Sequence, residues 1–117
     1  MTKPLAFIVE DDPRLNQIFQ LALQDDFLVE TVLDGSEAQA RLAQTTPHLI
    51  VLDLNLPGVS GNDLLTMIRS DARLKDAIVI VCTANDRQAD GLREQADYVL
   101  LKPVSPMQLR QLASRLV

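Results

Sequence analysis

Short apolar runs alternate along the chain with longer segments in which apolar residues recur every three or four positions. The short runs predict five β-strands, at residues 5–9, 27–33, 48–53, 77–82 and 98–101. The longer segments predict five α-helices, which lie after Asp12, after Asp34 to about residue 44, over 62–71, over 86–95 and after Ser105. Strands and helices therefore follow one another in alternation.

Capping residues mark where several of these helices begin. Asp12 precedes a proline, which is favoured at the first helical position, and Asp34 is followed three positions later by Glu37, as in a capping box. The first helix carries its predicted inward stripe at Leu15, Ile18, Phe19 and Ala22. The helix predicted over 86–95 is interrupted by Gly91, so we expect it to be short or irregular.

The alternation of strands and helices predicts one α/β domain over residues 1–117. Parallel strands joined by right-handed helical crossovers form a doubly wound sheet with helices on both faces. The run at 27–33 is broken by Glu30 and Thr31, so this strand is expected at an edge of the sheet. In such sheets, ligands bind outside the carboxyl ends of the strands. The residues at the strand ends are therefore the candidates for a functional site.

Charge and length exclude several classes of function. The formal net charge of −5 and the pI of about 4.6 argue against direct nucleic-acid binding by this domain. The longest apolar run, at 77–82, is far shorter than the roughly 20 residues that a membrane span needs. The first residues lack the apolar segment of a secretory signal, and Cys82 is the only cysteine. We therefore expect a cytoplasmic protein without membrane association.

Acidic, hydroxyl and basic residues stand at the ends of four predicted strands. Glu10 and Asp11 follow the first predicted strand. The ends of the third, fourth and fifth strands carry Asp53, Thr83 and Lys102, respectively. Three carboxylates held together repel one another unless a cation neutralises them, and oxygen ligands favour a hard ion such as Mg²⁺. A lysine and a hydroxyl opposite them suit an anionic group that joins the site. An aspartate beside such a group can act as its nucleophile.

Four short motifs occupy these strand ends. They are Ile8-Val9-Glu10-Asp11-Asp12, Leu52-Asp53-Leu54-Asn55-Leu56-Pro57-Gly58, Thr83-Ala84 and Lys102-Pro103. With these motifs the chain resembles the receiver domain of two-component response regulators over essentially all of its length. The resemblance implies a flavodoxin-like sheet with the strand order 2-1-3-4-5. It also implies a cis peptide bond between Lys102 and Pro103.

The resemblance assigns a role to each site residue. Asp53 would accept a phosphoryl group, whose oxygens would contact Thr83 and Lys102. The implied ligands of Mg²⁺ are Asp53, Asp11, Glu10 through a water molecule, and the backbone carbonyl of Asn55. The implied partners are a histidine kinase or phosphotransfer protein, which supplies the phosphoryl group, and a downstream effector domain or protein. The domain would catalyse only its own phosphorylation and dephosphorylation, so we do not expect an enzyme in the usual sense.

Two features depart from the usual receiver pattern. Receivers usually carry an aromatic residue three positions before the lysine of the fifth strand, where this chain has Val99. Tyr98 is one position earlier, and neighbouring residues of a strand face opposite sides. The segment between Thr83 and Lys102 is also about three residues shorter than usual, roughly one helical turn. We therefore expect a short fourth helix and altered signalling through this face.

Three other functions fit the sequence less well. Phosphatases with an aspartate nucleophile usually place an acid two residues after it, where this chain has Asn55, and an amide cannot transfer the required proton. A nucleotide-binding module would need a glycine-rich loop after the first strand, where this chain has three acids. A receiver-like interaction module with weak or absent phosphorylation-coupled switching keeps all the chemical residues, and only Val99 favours it.

Overall fold

The computed structural model describes residues 2–85, 87 and 90–117, and within them the chain forms five strands and four helices. The strands are β1 (Leu5–Val9), β2 (Leu28–Val32), β3 (Leu49–Asp53), β4 (Ile78–Thr83) and β5 (Tyr98–Leu101). The helices are α1 (Pro13–Leu23), α2 (Gly35–Leu42), α3 (Gly61–Ser70) and α4 (Pro106–Ser114). The five predicted strands and four of the predicted helices are therefore confirmed.

The strands form one parallel sheet in the order β2-β1-β3-β4-β5. The register places Val9 opposite Leu52 and Asp53 opposite Cys82, so β1, β3 and β4 end at the same edge of the sheet. The strand order runs outward in two directions from the boundary between β1 and β3, which is the topological switch point where ligands bind in such folds. The predicted flavodoxin-like, doubly wound fold is confirmed.

Among the described residues, two of the four helices pack on each face of the sheet. On one face, α2 and α3 bury Ala38, Leu64 and Leu65. On the other face, α1 and α4 bury Phe19 and Leu109. Consecutive residues of β1 alternate between these two cores because side chains alternate along a strand. Burial on both faces explains why the central strands are almost continuously apolar.

Three predicted helix caps are present. The side chain of Asp12 accepts a hydrogen bond of 2.9 Å at the start of α1, that of Asp34 one of 2.7 Å at the start of α2, and that of Ser105 one of 3.3 Å at the start of α4. In each case the donor is a backbone N–H of the first helical turn, which has no partner within the helix. Asp12 is therefore engaged as a cap, as its position before a proline predicts.

The predicted inward stripe of α1 is confirmed at Phe19, and Leu15 packs against the same core, but the prediction was wrong at Ile18 and did not include Asn16. The buried residues of this helix are Asn16, Phe19 and Leu23, whereas Ile18 is 40% exposed. A periodicity analysis follows apolar residues only, so it passed over Asn16 and used the apolar residues beside it. The inward face of α1 therefore includes the polar residue Asn16.

The helix predicted over 86–95 is only partly within the described residues, because residues 86, 88 and 89 lie outside them. Of its described residues, 87 and 90 are helical and 91–95 form consecutive turns, so the expected irregularity at Gly91 is confirmed. Gly91 begins this stretch, and glycine disfavours a helix because its backbone loses the most freedom on folding. Among the described helices, none has both the length and the apolar character required to cross a membrane.

Candidate functional site

The predicted site residues meet at the carboxyl edge of the sheet. Glu10 directly follows β1, Asp53 ends β3 and Thr83 ends β4, and all three are at most 2% exposed. Lys102 follows β5, and its backbone N–H donates to the carbonyl of Thr83 at 2.8 Å. The peptide bond between Lys102 and Pro103 is cis, as the resemblance implies. The strand ends therefore bring together the groups that the sequence singled out.

The Lys102 ammonium lies between two buried carboxylates. Its Nζ is 3.0 Å from Oε1 of Glu10 and 3.2 Å from Oδ2 of Asp53. The lysine side chain is 23% exposed, whereas the side chains of Glu10 and Asp53 are 1% and 3% exposed. Buried charges are tolerated in proteins when they are paired, and one cation here offsets part of the repulsion between two carboxylates.

The pKa values of Glu10 and Lys102 are both raised. Burial raises the pKa of Glu10 to about 7, and the charge of Asp53 adds to the rise, while the hydrogen bond from the backbone of Asp12 and the contact with Lys102 oppose it. For Lys102, burial alone would lower the pKa, but its contact with Glu10 and the charges of Glu10 and Asp53 raise it overall. Lys102 therefore carries its positive charge at neutral pH.

Three carboxylates converge next to the ammonium. One oxygen atom from each of Glu10, Asp11 and Asp53 lies within 4.8 Å of the other two. Asp11 is exposed, so the cluster reaches solvent on that side. A donor set composed only of oxygen atoms favours a hard divalent cation, and carboxylates are the ligands that such ions use most. The acidic cluster can therefore hold a metal ion, as its residue types predict.

The loop after Asp53 is held by close backbone packing. The backbone N–H of Asn55 donates to Oδ1 of Asp53 at 3.1 Å. A Cβ atom on Gly61 would lie 2.4 Å from the carbonyl oxygen of Asp53, and one on Gly35 would lie 1.6 Å from that of Val59. Both distances are shorter than any real contact, so only glycine fits at these two positions. The backbone of Asn55, with its predicted ligand carbonyl, is thereby fixed relative to Asp53.

The hydroxyl of Thr83 connects the end of β4 to the segment that follows. Its Oγ1 accepts a hydrogen bond from the N–H of Asn85 at 3.1 Å and donates to the carbonyl of Asn85 at 3.4 Å. The side-chain oxygen of Asn85 accepts in turn from the N–H of Arg87 at 3.0 Å. A change of partner at the hydroxyl would therefore act directly on the backbone after β4.

Sequence reasoning missed one buried polar residue beside the site. Asn16, on α1, is 4% exposed. Its Nδ2 donates to the carbonyl oxygen of Glu10 at 3.1 Å and to that of Val32 at 3.0 Å. The available signal was the inward spacing of Asn16 with Phe19, which the choice of an apolar stripe concealed. Asn16 joins the ends of β1 and β2 to the first turn of α1.

Val99 and Tyr98 lie on opposite faces of the sheet, as predicted. In the register, Val99 pairs with Val81 and Tyr98 pairs with Ile80. Val81 and Val99 pack in the core beneath α2 and α3, whereas Ile80 belongs to the core beneath α1 and α4. Val99 therefore occupies the face that Thr83, two residues after Val81, also shares. The ring of Tyr98 cannot reach that face without a rearrangement of the strand.

Residues 6–114 match the family model of the response regulator receiver domain. The chain is 34% identical over 110 residues to the phosphate regulon transcriptional regulatory protein PhoB of Rhizobium meliloti, an overlap of 91% of this chain and 48% of that protein. It is 36% identical over 110 residues to the transcriptional regulatory protein BaeR of Escherichia coli, covering 91% of this chain and 45% of BaeR. The chain thus spans about half the length of these relatives.

Solved receiver structures share the fold. The BeF3-activated receiver domain of DrrB, a Thermotoga maritima protein, is similar with a TM-score of 0.88 and 26% identity, covering 98% of this chain and 97% of that one. The phosphorylated cyanobacterial phytochrome response regulator RcpA is similar with a TM-score of 0.82 and 31% identity, covering 97% and 91%. With the match over residues 6–114, these relatives show that the chain belongs to the response regulator receiver domain family.

Proposed function

We propose that Asp53 accepts a phosphoryl group from a histidine kinase or a phosphotransfer protein. The observation that carries the proposal is the Lys102 ammonium, 3.2 Å from Oδ2 of Asp53, because a cation in that position can bind the oxygens of an anion joined to the carboxylate. The similarity to phosphorylated RcpA and to the regulators PhoB and BaeR supports the same function.

The proposed step is a phosphoryl transfer to a carboxylate. One oxygen of Asp53 attacks the phosphorus atom, and an O–P bond forms as the P–N bond to the donor histidine breaks. The histidine nitrogen keeps the electron pair of the broken bond, and the product on Asp53 is an acyl phosphate. Lys102 neutralises charge on the phosphoryl oxygens. The hydroxyl of Thr83 donates to one of these oxygens in place of the carbonyl of Asn85.

Mg²⁺ is the metal that we propose for this site. Its protein ligands would be the carboxylates of Asp11 and Asp53 and the backbone carbonyl of Asn55, with Glu10 acting through a water molecule. The spacing of the three carboxylates and the oxygen-only donor set fit such an ion. When bound, the ion supplies positive charge for the phosphoryl oxygens. Asp11 and Glu10 hold that charge at the edge of the sheet beside the nucleophile.

We further propose that residues 1–117 form one receiver domain in the cytoplasm and that its output passes to a downstream effector domain or protein. The match over residues 6–114 supports the single domain. PhoB and BaeR, which are about twice as long as this chain, support an effector. In this proposal the receiver catalyses only its own phosphorylation and dephosphorylation and binds neither nucleic acid nor membrane directly.

A small phosphodonor tests the proposal. With Mg²⁺ and acetyl phosphate, the wild-type protein should gain one phosphoryl group, detected by intact-mass analysis and located by peptide mapping. Asp53→Asn should abolish the adduct because an amide is not a nucleophile of this kind. Asp12→Asn is the matched control and should retain most of the reaction, since asparagine also caps a helix. A persistent adduct in Asp53→Asn, or none in the wild type, would contradict the proposal.

A second candidate function is a receiver-like interaction module in which phosphorylation has a weak effect on the partner surface. The placement of Val99 on the face shared with Thr83, with Tyr98 on the opposite face, favours it. Both candidates keep the chemistry at Asp53. They differ in whether phosphorylation changes the region around β5, which amide and methyl resonances of that region would report.

A further inference from the structure

We infer that Asn16 is a positioning residue for the acidic cluster, an inference that rests on the function proposed for Asp53. Asn16 contacts the backbone of Glu10 through its side-chain amide. By holding this backbone, it sets the direction in which the carboxylates of Glu10 and Asp11 point. Helix α1 thus contributes to the site through a residue that is neither a proposed metal ligand nor a nucleophile.

The amide of Asn16 joins the ends of two strands. Its Nδ2 donates to the carbonyl of Glu10 at 3.1 Å, directly after β1, and to the carbonyl of Val32 at 3.0 Å, at the end of β2. The backbone N–H of Glu10 also donates to the carbonyl of Val32, at 3.3 Å. The peptide groups on both sides of the Glu10 α-carbon are therefore restrained, and the position of its carboxylate follows from them.

The burial of Asn16 shows that these bonds matter to the fold. The residue is 4% exposed and occupies an inward position of α1, in line with Phe19 and Leu23. An amide at such a position costs free energy unless its donors find partners, whereas an apolar side chain would gain free energy by burial alone. An asparagine is tolerated there because the carbonyls of Glu10 and Val32 accept its hydrogen bonds. The buried amide therefore depends on the ends of β1 and β2.

The first turn of α1 carries the restraint to the carboxylates. The backbone N–H of Asn16 donates to the carbonyl of Asp12 at 2.8 Å, and the N–H of Asp12 donates to Oε2 of Glu10 at 3.2 Å. Asn16 therefore closes a ring of hydrogen bonds that contains residues 10–12. Loss of its side-chain amide frees one side of this ring, so the carboxylates of Glu10 and Asp11 should move away from Asp53.

The test is Asn16→Leu, which keeps a branched side chain of similar size but has no donor. We expect the affinity of the folded protein for Mg²⁺ to fall about 10- to 100-fold, as is typical when a residue that orients metal ligands is lost. Calorimetric titration with MgCl₂ measures this at a temperature where every variant is folded. Asn16→Ser is the second variant, because its short hydroxyl cannot span both carbonyls, and its affinity should fall as well.

Two control variants separate positioning from general stability. Gln17→Leu makes the same chemical change at an exposed position of the same helix. Leu23→Ala removes buried side-chain atoms at the far end of α1, so it lowers stability without contact with residues 10–12. Both should bind Mg²⁺ with wild-type affinity. The inference is overturned if Leu23→Ala loses as much affinity as Asn16→Leu, or if both Asn16 variants bind as tightly as the wild type.

The amide of Asp12 gives a readout that needs no metal. It donates to Oε2 of Glu10, so its hydrogen exchange reports whether that carboxylate stays in place. In metal-free protein, exchange at Asp12 should be faster in Asn16→Leu than in Gln17→Leu. If the wild type binds Mg²⁺ and is phosphorylated on Asp53 but exchange at Asp12 is the same in Asn16→Leu as in Gln17→Leu, the inference is overturned. A wild type that does neither would overturn the proposed function instead.

Discussion

The ammonium of Lys102 lies 3.2 Å from Oδ2 of Asp53, the carboxylate that we propose as the nucleophile. The same ammonium lies 3.0 Å from Oε1 of Glu10, so one cation contacts two buried carboxylates at the ends of different strands. A lysine in this position has two effects. It balances charge in the folded site, and it presents a donor for the oxygens of an anion that joins Asp53.

Replacement of Lys102 should test the first effect, the balance of charge in the folded site. Lys102→Met leaves Glu10 and Asp53 buried without their cation, and loss of one partner from a buried ion pair costs about 3 kcal/mol of unfolding free energy. Urea denaturation without divalent ions measures this loss. Millimolar Mg²⁺ should stabilise Lys102→Met more than it stabilises the wild type, because the repulsion between the carboxylates is then larger.

Lys75→Met is the matched control for Lys102→Met, since Lys75 is an exposed lysine outside the site. It should change neither the unfolding free energy nor the response to Mg²⁺ by a measurable amount. An equal gain in stability from Mg²⁺ in Lys102→Met and in the wild type would show that the ion binds elsewhere.

The main features of the fold could be predicted because they arise from local patterns. Strand β3 is a run of buried apolar residues that ends at Asp53, and strand β4 ends in the same way at Thr83. Once such runs are recognised as parallel strands, the geometry of the sheet brings their ends together. The positions of Glu10 and Lys102 next to Asp53 follow from that rule without any knowledge of side-chain contacts.

The role of Asn16 could not be predicted in this way. Its two acceptors are the carbonyls of Glu10 and Val32, which are distant from each other in sequence and have no side-chain signature. A periodicity analysis treats Asn16 as a polar interruption, and so it left this residue out of the buried face of α1. The segment after Thr83 agrees with its sequence, because turns replace a regular helix from Gly91 onward, where the glycine predicts an interruption.

The single thiol should be almost unreactive in the folded protein. Cys82 is 1% exposed, and burial raises its pKa from 9.0 to about 12. At pH 8 this lowers the thiolate fraction about a thousandfold, and alkylation requires the thiolate. We expect iodoacetamide to modify Cys82 at a rate set by transient opening of the fold. Mass spectrometry over time should show rapid modification only in urea.

A surface thiol provides the comparison for Cys82. Ser70→Cys adds a second cysteine at an exposed position at the end of α3. In the folded protein, iodoacetamide should modify this added thiol long before it modifies Cys82. Equal rates at both positions in the folded protein would mean that β4 opens far more often than its burial indicates.

Arg69 should be a major source of stability for the segment before β5. Its guanidinium donates to the carbonyls of Lys75, Ala77 and Gln95 at 2.9, 2.8 and 2.6 Å and to Oδ2 of Asp97 at 2.8 Å. Hydrogen bonds from a charged donor contribute more than neutral ones, so Arg69→Met should lower the unfolding free energy by about 3 kcal/mol. Urea denaturation measures this change, and hydrogen exchange at Gln95 and Asp97 should become faster.

Arg41 is the appropriate control for Arg69. It forms one ion pair of 2.8 Å with Glu30, and its side chain is 46% exposed. An exposed pair of this kind contributes at most about 1 kcal/mol, so Arg41→Met should have a small effect. Similar losses in Arg41→Met and Arg69→Met would contradict the idea that Arg69 fastens the end of the 90–97 segment to α3.

The effect of phosphorylation on the β5 region should be carried by the backbone after β4. Receivers usually respond through an aromatic side chain that fills the space left by the moving hydroxyl residue. Val99 is too small for that volume and has few rotamers in a strand, and Tyr98 faces the opposite side of the sheet. Thr83, in contrast, is hydrogen-bonded to Asn85, so movement of its hydroxyl pulls directly on this backbone.

We therefore predict that beryllofluoride, a phosphoryl mimic, shifts the amide resonances of residues 90–95 more than the methyl resonances of Val99. Residues 91–95 form turns instead of a regular helix, and a segment of this kind opens locally more easily than a strand within the sheet. Asp53→Asn with the same additions is the control and should show no shifts, because the mimic needs the carboxylate. Large shifts at Val99 with unchanged amides at 90–95 would contradict this route. No shifts in either region would favour the interaction module whose surface is insensitive to phosphorylation.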